Sequence, residues 1–419
     1  MAQIPLSWQF DTITWRLGGV VLLLALITSL LLTLERHWLT AVWLLAAATL
    51  VFVSATTKMA MMTGWVTIFI LWFWLLPHKR ATYWLLPPLL GLWAAIALQP
   101  WPSWAGGALL ITAVLQMGVW PFSGWRSLSL DLPKPLILLF YTYLPLTGLT
   151  VLARSPEAAQ IGLANGLIIT IIGLFGILMG LRQMWEQLPH PTQAITGLAQ
   201  VQVNMAFLTA VWGGPETALA EARLLLAFAA LFLSVGHIQA RWQMASPIIA
   251  LAALAGLPLT VGFTSRAALY TAWWENDRIL LILVLALMHI PFIIATFWLI
   301  WQQATTHPSR QVVIAWSLPL IGLIGLTSLG NPPWFVWLAL LLPFVVGLVV
   351  PHLGLELTEV RAILSRAFSF SRPPFLQPQF LADVITNIGL ALREAARILE
   401  GENGLLWLLT FVVILLLVR

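Results

Sequence analysis

Long apolar runs, nearly free of charge, recur along the whole chain and restrict what it can fold into. A helix needs about 20 residues to cross the hydrocarbon of a bilayer. Runs near that length lie at 17–34, 38–54, 59–76, 83–98, 104–121, 135–153, 159–181, 192–212, 221–240, 246–270, 279–301, 312–329, 333–350 and 403–418. They predict an all-α polytopic membrane protein with about 14 transmembrane helices. The runs are continuously apolar, without the alternation that a transmembrane barrel strand requires. Only 8% of the 419 residues are charged and 60% are hydrophobic. A soluble domain carries about 25% charged residues. A soluble fold this poor in charge would lack the polar groups to cover its own surface, so the bilayer is the expected covering. Most connections are short, which predicts that successive helices pack as antiparallel neighbours.

Composition also excludes function classes. Cysteine is absent, so disulfides, thiol catalysis and iron–sulfur ligation are unavailable. The net charge of +5 comes from bases scattered singly between apolar runs. No basic stripe forms, so no nucleic-acid partner is expected. No metal constellation, nucleophile triad or phosphate-binding glycine loop stands out, so neither a cofactor nor an active site within this chain is expected. The first fifteen residues are mixed and the first apolar run is long enough to span, so it is expected to stay rather than be cleaved. Many of the 24 Trp residues flank the runs, among them Trp38, Trp84, Trp101, Trp104, Trp120, Trp125 and Trp334. That placement fits interface anchors and inter-helix packing; an aromatic ligand cage is the other reading.

Charge asymmetry gives a topology. Arg36, Lys79, Arg80, Arg126, Lys134, Arg182, Arg241 and Arg310 fall in loops of one side, joined by Arg361, Arg366, Arg372, Arg393 and Arg397. The other side has Arg16, Lys58, Arg154, Arg223 and Arg278, with Glu157, Glu216, Glu221, Glu275 and Asp277. The positive-inside rule makes the first set cytoplasmic, so both termini are expected outside an inner or cytoplasmic membrane.

Several spans carry breakers. Pro121 ends the fifth, Pro133 and Pro135 bracket the start of the sixth, and Pro145 lies within it. Gly256-Leu257-Pro258 interrupts the tenth. Proline removes a backbone donor, and in lipid the freed carbonyl needs a partner in protein or trapped water. Such breaks fit either packing kinks or a conduction site built from broken helices in two halves of a chain.

Intramembrane polar groups are few. A charge at the bilayer centre costs on the order of 3 kcal/mol, so each one present is a functional candidate. Arg266 lies beyond the Gly-Leu-Pro break, Arg223 and His237 near the ends of the ninth span, and His289 before Pro291 in the eleventh. Gln116 falls late in the fifth, and Gln200, Gln202 and Asn204 along the eighth. Each His suits a satisfied core role or proton transfer equally, while the amides suit helix–helix contacts. Arg266 cannot carry a proton itself, because guanidinium stays protonated; it suits fixing a water or an anionic partner.

The tail differs. Residues 353–402 hold two amphipathic segments flanking a breaker from Arg372-Pro373-Pro374 to Pro378. In the second, Leu381, Val384, Ile385, Ile388, Leu392, Ala396 and Leu399 share a face. That pattern predicts a lateral helix on the cytoplasmic side, lying in an interface or along neighbouring helices. A closing span at 403–419 follows.

Arranged in this order, the motifs resemble the antiporter-like membrane subunits of respiratory complex I, membrane-bound hydrogenases and Mrp-type cation/proton antiporters. The resemblance covers residues 58–300. One stretch is Gln116-Met-Gly-Val-Trp-Pro-Phe-Ser-Gly-Trp125, followed by Leu132-Pro-Lys-Pro135 and Thr147-Gly-Leu-Thr-Val-Leu-Ala-Arg154. It is similar to the family's Lys-Ser-Ala-Gln-x-Pro-x-x-x-Trp, then Gly-Pro-Thr-Pro, then a helix ending Tyr-Leu-x-x-Arg. The other is Leu254-Ala-Gly-Leu-Pro-Leu-Thr-Val-Gly-Phe-Thr-Ser-Arg266, similar to Leu-Ala-Gly-x-Pro-Pro-x-x-Gly-Phe-x-x-Lys.

The resemblance implies two inverted repeats, partner subunits in a redox or antiporter complex, and protons moving along a hydrated chain of Glu and Lys. Carried over, most of that chain is missing. The family's glutamate falls on Val66, its first broken-helix lysine on Gln116 and the next histidine on Tyr141. Two further lysines fall at Thr192 and Phe228, and a motif-closing glutamine matches Gln202. Only Arg266 keeps a cation. Val and Phe cannot exchange protons, nor can a neutral amide near neutral pH. The expected function is therefore an antiporter-like subunit of a redox-driven proton- or cation-translocating complex, its relay degenerate and its role largely structural.

The expected organisation is 1–57 N-terminal helices, 58–300 inverted-repeat core, 301–352 further helices, 353–402 lateral segment and 403–419 closing helix. Two other readings remain open: an independent secondary transporter, and a polytopic lipid-linked-sugar glycosyltransferase. The latter needs an outer-loop carboxylate, and the candidate in the first loop, Glu35, falls on the inner side by charge count.

Overall fold

Proline and glycine punctuate the apolar runs, and they decide where each helix begins and ends. A computed structural model describes residues 6–32, 36–76, 85–122, 132–235, 238, 241–301, 317–318 and 332–349. Glu35, His237, the lateral segment 353–402, the 403–418 span, and the 312–329 span apart from residues 317 and 318 lie outside these.

Among the described residues the chain forms α1 (Thr12–Leu31), α2 (Arg36–Ser54), α3 (Lys58–Leu75), α4 (Leu86–Ala97) and α5 (Pro102–Met117). Next come α6 (Lys134–Arg154), α7 (Pro156–Ala164), α8 (Gly166–Glu186), α9 (Pro191–Gly213) and α10 (Pro215–Ser234). They are followed by α11 (Ala245–Leu254), α12 (Val261–Glu275), α13 (Ile279–Trp301) and α14 (Trp334–Val349). Among the described residues, α1, α3, α6, α8, α9, α10 and α13 are long and apolar enough to cross a bilayer. The protein is a multi-pass membrane protein, all-helical in its described residues apart from an isolated Trp8–Ala55 bridge.

Pro133 and Pro135 fall at the start of the sixth span, as the sequence placed them, and act there as start signals: Pro133 caps α6 and Pro135 lies in its first turn. The missing proline N–H is harmless there, since first-turn donors have no intrahelical partner. Helices α4, α5, α7, α9 and α10 start the same way. Pro145 sits inside α6 without ending it. Two sequence expectations need correction: the run at 159–181 is two helices meeting at Asn165, and the ninth helix starts at Pro215 rather than 221. That shift places Glu221 two turns inside α10, not in a loop.

Two real breaks remain. Helix α5 stops at Gly118, whose φ of 67° is in the left-handed region, and the cis Trp120–Pro121 bond follows. The Trp120 amide donates to Asn204 Oδ1 at 3.2 Å, and Asn204 Nδ2 donates to the Gln200 carbonyl at 2.7 Å. Asn204 reaches this position because α8 and α9 pack closely along glycines. A Cβ on Gly176 would lie 2.0 Å from Asn204 Oδ1, and one on Gly180 would lie 2.8 Å from the Val201 amide nitrogen. Small residues let membrane helices approach in this way. The second break separates α11 from α12, with Gly256 at φ 77° and Leu259 at φ 68°. Leu257 N donates back to the Ala252 carbonyl at 2.9 Å, which closes the first half-helix.

Several of the charges that the sequence assigned to one side form ion pairs. Arg16 meets Glu216 at 2.7 Å and Lys58 meets Glu157 at 3.4 Å. Arg154, the last residue of α6, donates to both Asp11 oxygens at 2.9 and 3.0 Å and to the Val53 carbonyl at 2.9 Å. Asp11 also caps α1 by accepting from the Thr14 amide at 2.8 Å. One carboxylate thus joins the start of α1 to the ends of α2 and α6. Burial alone would raise the Asp11 pKa, but the Arg154 and Thr14 hydrogen bonds and the Arg154 charge outweigh it and hold it at about 2, below the ordinary 3.8. A depressed carboxylate pKa contributes stability above the unfolded value and loses it as pH falls through the folded one. Melting of the detergent-solubilised protein is therefore expected to turn acid-sensitive between pH 3.8 and about 2. Asp11→Asn lowers stability at neutral pH and flattens that acid limb; an unchanged limb contradicts the assignment.

Candidate functional site

The α11–α12 break builds the most polar buried cluster among the described residues. A Cβ on Gly262 would lie 1.7 Å from the Ala253 carbonyl oxygen, so only glycine lets the second half-helix start against the first. A Cβ on Gly256 would lie 2.8 Å from Arg266 Cγ, so the Arg266 stem packs directly on the turn. The side chain then runs inward from α12. Arg266 is 1% exposed and Glu221 0%, and Arg266 NH1 donates to Glu221 Oε1. Gln202, from α9, donates through Nε2 to the second carboxylate oxygen at 3.2 Å.

His289, from α13, lies beside this group. Its Nδ1 is 2.9 Å from the Leu285 carbonyl. A carbonyl only accepts, so Nδ1 carries the proton and Nε2 is left as an acceptor. The Trp185 indole donates to the Pro291 carbonyl at 3.2 Å, which holds α13 against α8. A cavity of about 10 Å³, lined by Arg266, Gln202 and His289 among apolar residues, lies between them. That is room for roughly one water. Arg266 Nε is buried without a partner, so the arrangement offers such a water a donor.

The other sequence candidates fall elsewhere. Tyr141 of α6 and Phe228 of α10 meet with ring centroids 6.5 Å apart, and Phe232 joins them at 6.2 and 5.9 Å. This trio is buried. Val66 is partly buried in α3, beside Trp65, whose indole donates to the Leu85 carbonyl at 3.0 Å. Gln116 is 1% exposed near the end of α5, and neither amide atom has a hydrogen-bond partner. Thr192 is in the first turn of α9. Pro121 and Pro258 mark the two breaks. The structure therefore brings Arg266, Gln202 and His289 into one cluster and Tyr141 and Phe228 into another. Among the described residues, three or more His, Asp or Glu nowhere converge as a metal site.

Glu221 was missed as part of the site. Its signal was present: Gly213-Gly214-Pro215 marks a helix start, which puts position 221 inside the following span. An apolar window centred further along hides it.

With that geometry in view, the chain can be set beside known proteins. It is similar over 100% of its length to a chain from the membrane-bound sulfane sulfur reductase (MBS), an archaeal respiratory membrane complex. The match covers 92% of that chain, with a TM-score of 0.65 and 14% identity. At that identity the likeness is one of fold. No protein-family model and no curated protein matches the sequence.

The ion pair makes a sharp prediction. Removing one member of a buried pair leaves an uncompensated charge and costs about 3–5 kcal/mol, whereas an apolar replacement of both is often close to neutral. Glu221→Leu and Arg266→Met are each expected to lower thermal stability strongly in detergent, and the double variant is expected to recover most of the loss. Additive losses contradict the pairing.

Proposed function

We propose that this chain is an antiporter-like integral membrane subunit of a multisubunit, redox-driven proton- or cation-translocating complex. Its proton relay is degenerate and its role is largely structural. The order of the two broken-helix motifs supports the reading, as does the fold shared with a chain of a respiratory membrane complex.

One observation carries the degenerate part. Where the resemblance places relay groups, the chain has a buried Tyr141–Phe228–Phe232 aromatic cluster and the aliphatic Val66. The one cation kept among those positions, Arg266, is tied to Glu221. The Phe228, Phe232 and Val66 side chains neither exchange protons nor draw in water, and Tyr141 stands where the resemblance places a histidine. A guanidinium holds its proton at any physiological pH. The pair is neutral as a whole, so it fastens α10 to α12 without needing charge to move. On this reading residues 58–300 form the inverted-repeat core, and the partners are other membrane subunits of the complex.

Affinity purification of the tagged chain from native membranes under mild detergent tests this directly. Redox or antiporter subunits are expected to co-purify in fixed proportion. Recovery of the chain alone overturns the assignment and favours an independent transporter.

A further inference from the structure

A second feature lies on a different face of α10 and α12. A cleft of about 880 Å³ opens between these helices. That volume falls in the range of about 300–1,000 Å³ typical of ligand pockets. Its walls mix apolar residues, Leu219, Ala220, Ala267 and Ala268 among them, with the hydroxyls of Thr217, Thr264 and Thr271. Four charged residues line it: Arg16, Glu216, Arg223 and Glu275. Arg16 and Glu216 pair with each other at 2.7 Å. Among the described residues, the Arg223 and Glu275 side chains have no hydrogen bond or ion pair.

The two unpaired charges sit at different depths. Arg223 is eight residues into α10, roughly 12 Å along the helix from Pro215. Glu275 is the last residue of α12. Both helices present these ends together, because Arg278, just beyond Glu275, stacks over Trp212, just before Pro215, at 4.8 Å. Exposed Trp15, Trp274 and Trp334 each adjoin a residue of the cleft. Exposed tryptophans of a membrane protein concentrate at headgroup level. The mouth is thus marked as an interface, the inner charge as positive and the outer one as negative.

We infer that the cleft binds a glycerophospholipid with a primary-ammonium headgroup, of the phosphatidylethanolamine class. In such a lipid the phosphate lies next to the glycerol and the ammonium further out. That order matches Arg223 below and Glu275 above, while Leu219, Ala267, Ala268 and Phe263 offer apolar contact to the acyl chains and the threonine hydroxyls suit the glycerol esters. An unpaired arginine at this depth is costly, and a phosphate relieves the cost through charge-assisted hydrogen bonds. A purely anionic lipid meets Arg223 but leaves Glu275 facing its negative headgroup. A choline headgroup cannot donate a hydrogen bond to Glu275.

Native mass spectrometry of the delipidated full chain, offered equal amounts of phosphatidylethanolamine, phosphatidylglycerol and phosphatidylcholine, tests the site. The ethanolamine lipid is expected to be retained over both others. Arg223→Gln is expected to reduce that retention about tenfold, the loss of a hydrogen bond to a charged group. Glu275→Lys, at an exposed position, is expected to turn the preference towards phosphatidylglycerol. Ala268→Trp narrows the cleft and is expected to weaken retention of all three. Equal retention of the three lipids, retention unaffected by both Glu275→Lys and Ala268→Trp, or displacement of the lipid by free phosphoethanolamine at equal concentration overturns the inference. So does recovery of a protein or quinone in the cleft instead.

Discussion

A charged pair sealed between helices is the constraint on which the described core depends. Arg266 and Glu221 are each expensive to bury, and each is tolerable only because the other is there. Meeting that condition requires the α11–α12 break to sit where it does. Gly262 lets the second half-helix start against the Ala253 carbonyl, and Gly256 leaves room for the Arg266 stem. It also requires α9 to present Gln202 at the second carboxylate oxygen. Helices α9, α10 and α12 are thereby fixed to one another by one buried polar contact.

The surrounding packing serves that contact. The glycine-lined approach of α8 to α9 sets the position of α9, and Asn204 on the same helix holds the Trp120 amide at the other break. The two breaks are thus linked through α9, one to Asn204 and the other to Gln202. The aromatic trio on α6 and α10 fills the interior next to these helices with packed rings. On the proposed reading, a scaffold shaped for ion conduction has kept its broken helices and replaced the mobile charges with a fixed neutral pair and rings.

Much of this was legible in the sequence, and the failures have physical causes. The helical class followed from apolar runs of spanning length, and the Gly256-Leu257-Pro258 break from residue types that cannot continue a helix in lipid. Pro133 and Pro135 were legible at the start of α6, because proline suits a helix's first turn, where its missing N–H costs nothing. Arg266 was recognised as an isolated intramembrane cation, but its partner lies 45 residues away and no local pattern links them. Glu221 was assigned to a loop because hydropathy windows centre on the apolar end of α10, past its true start at Pro215.

The central claim is that this chain holds charge in place rather than moving it. Proton flux into proteoliposomes containing the purified chain, followed with an entrapped pH-sensitive dye under an imposed membrane potential, tests that most directly. The account predicts a flux equal to that of protein-free vesicles at every potential. A flux that rises with protein content and disappears in Glu221→Gln contradicts it.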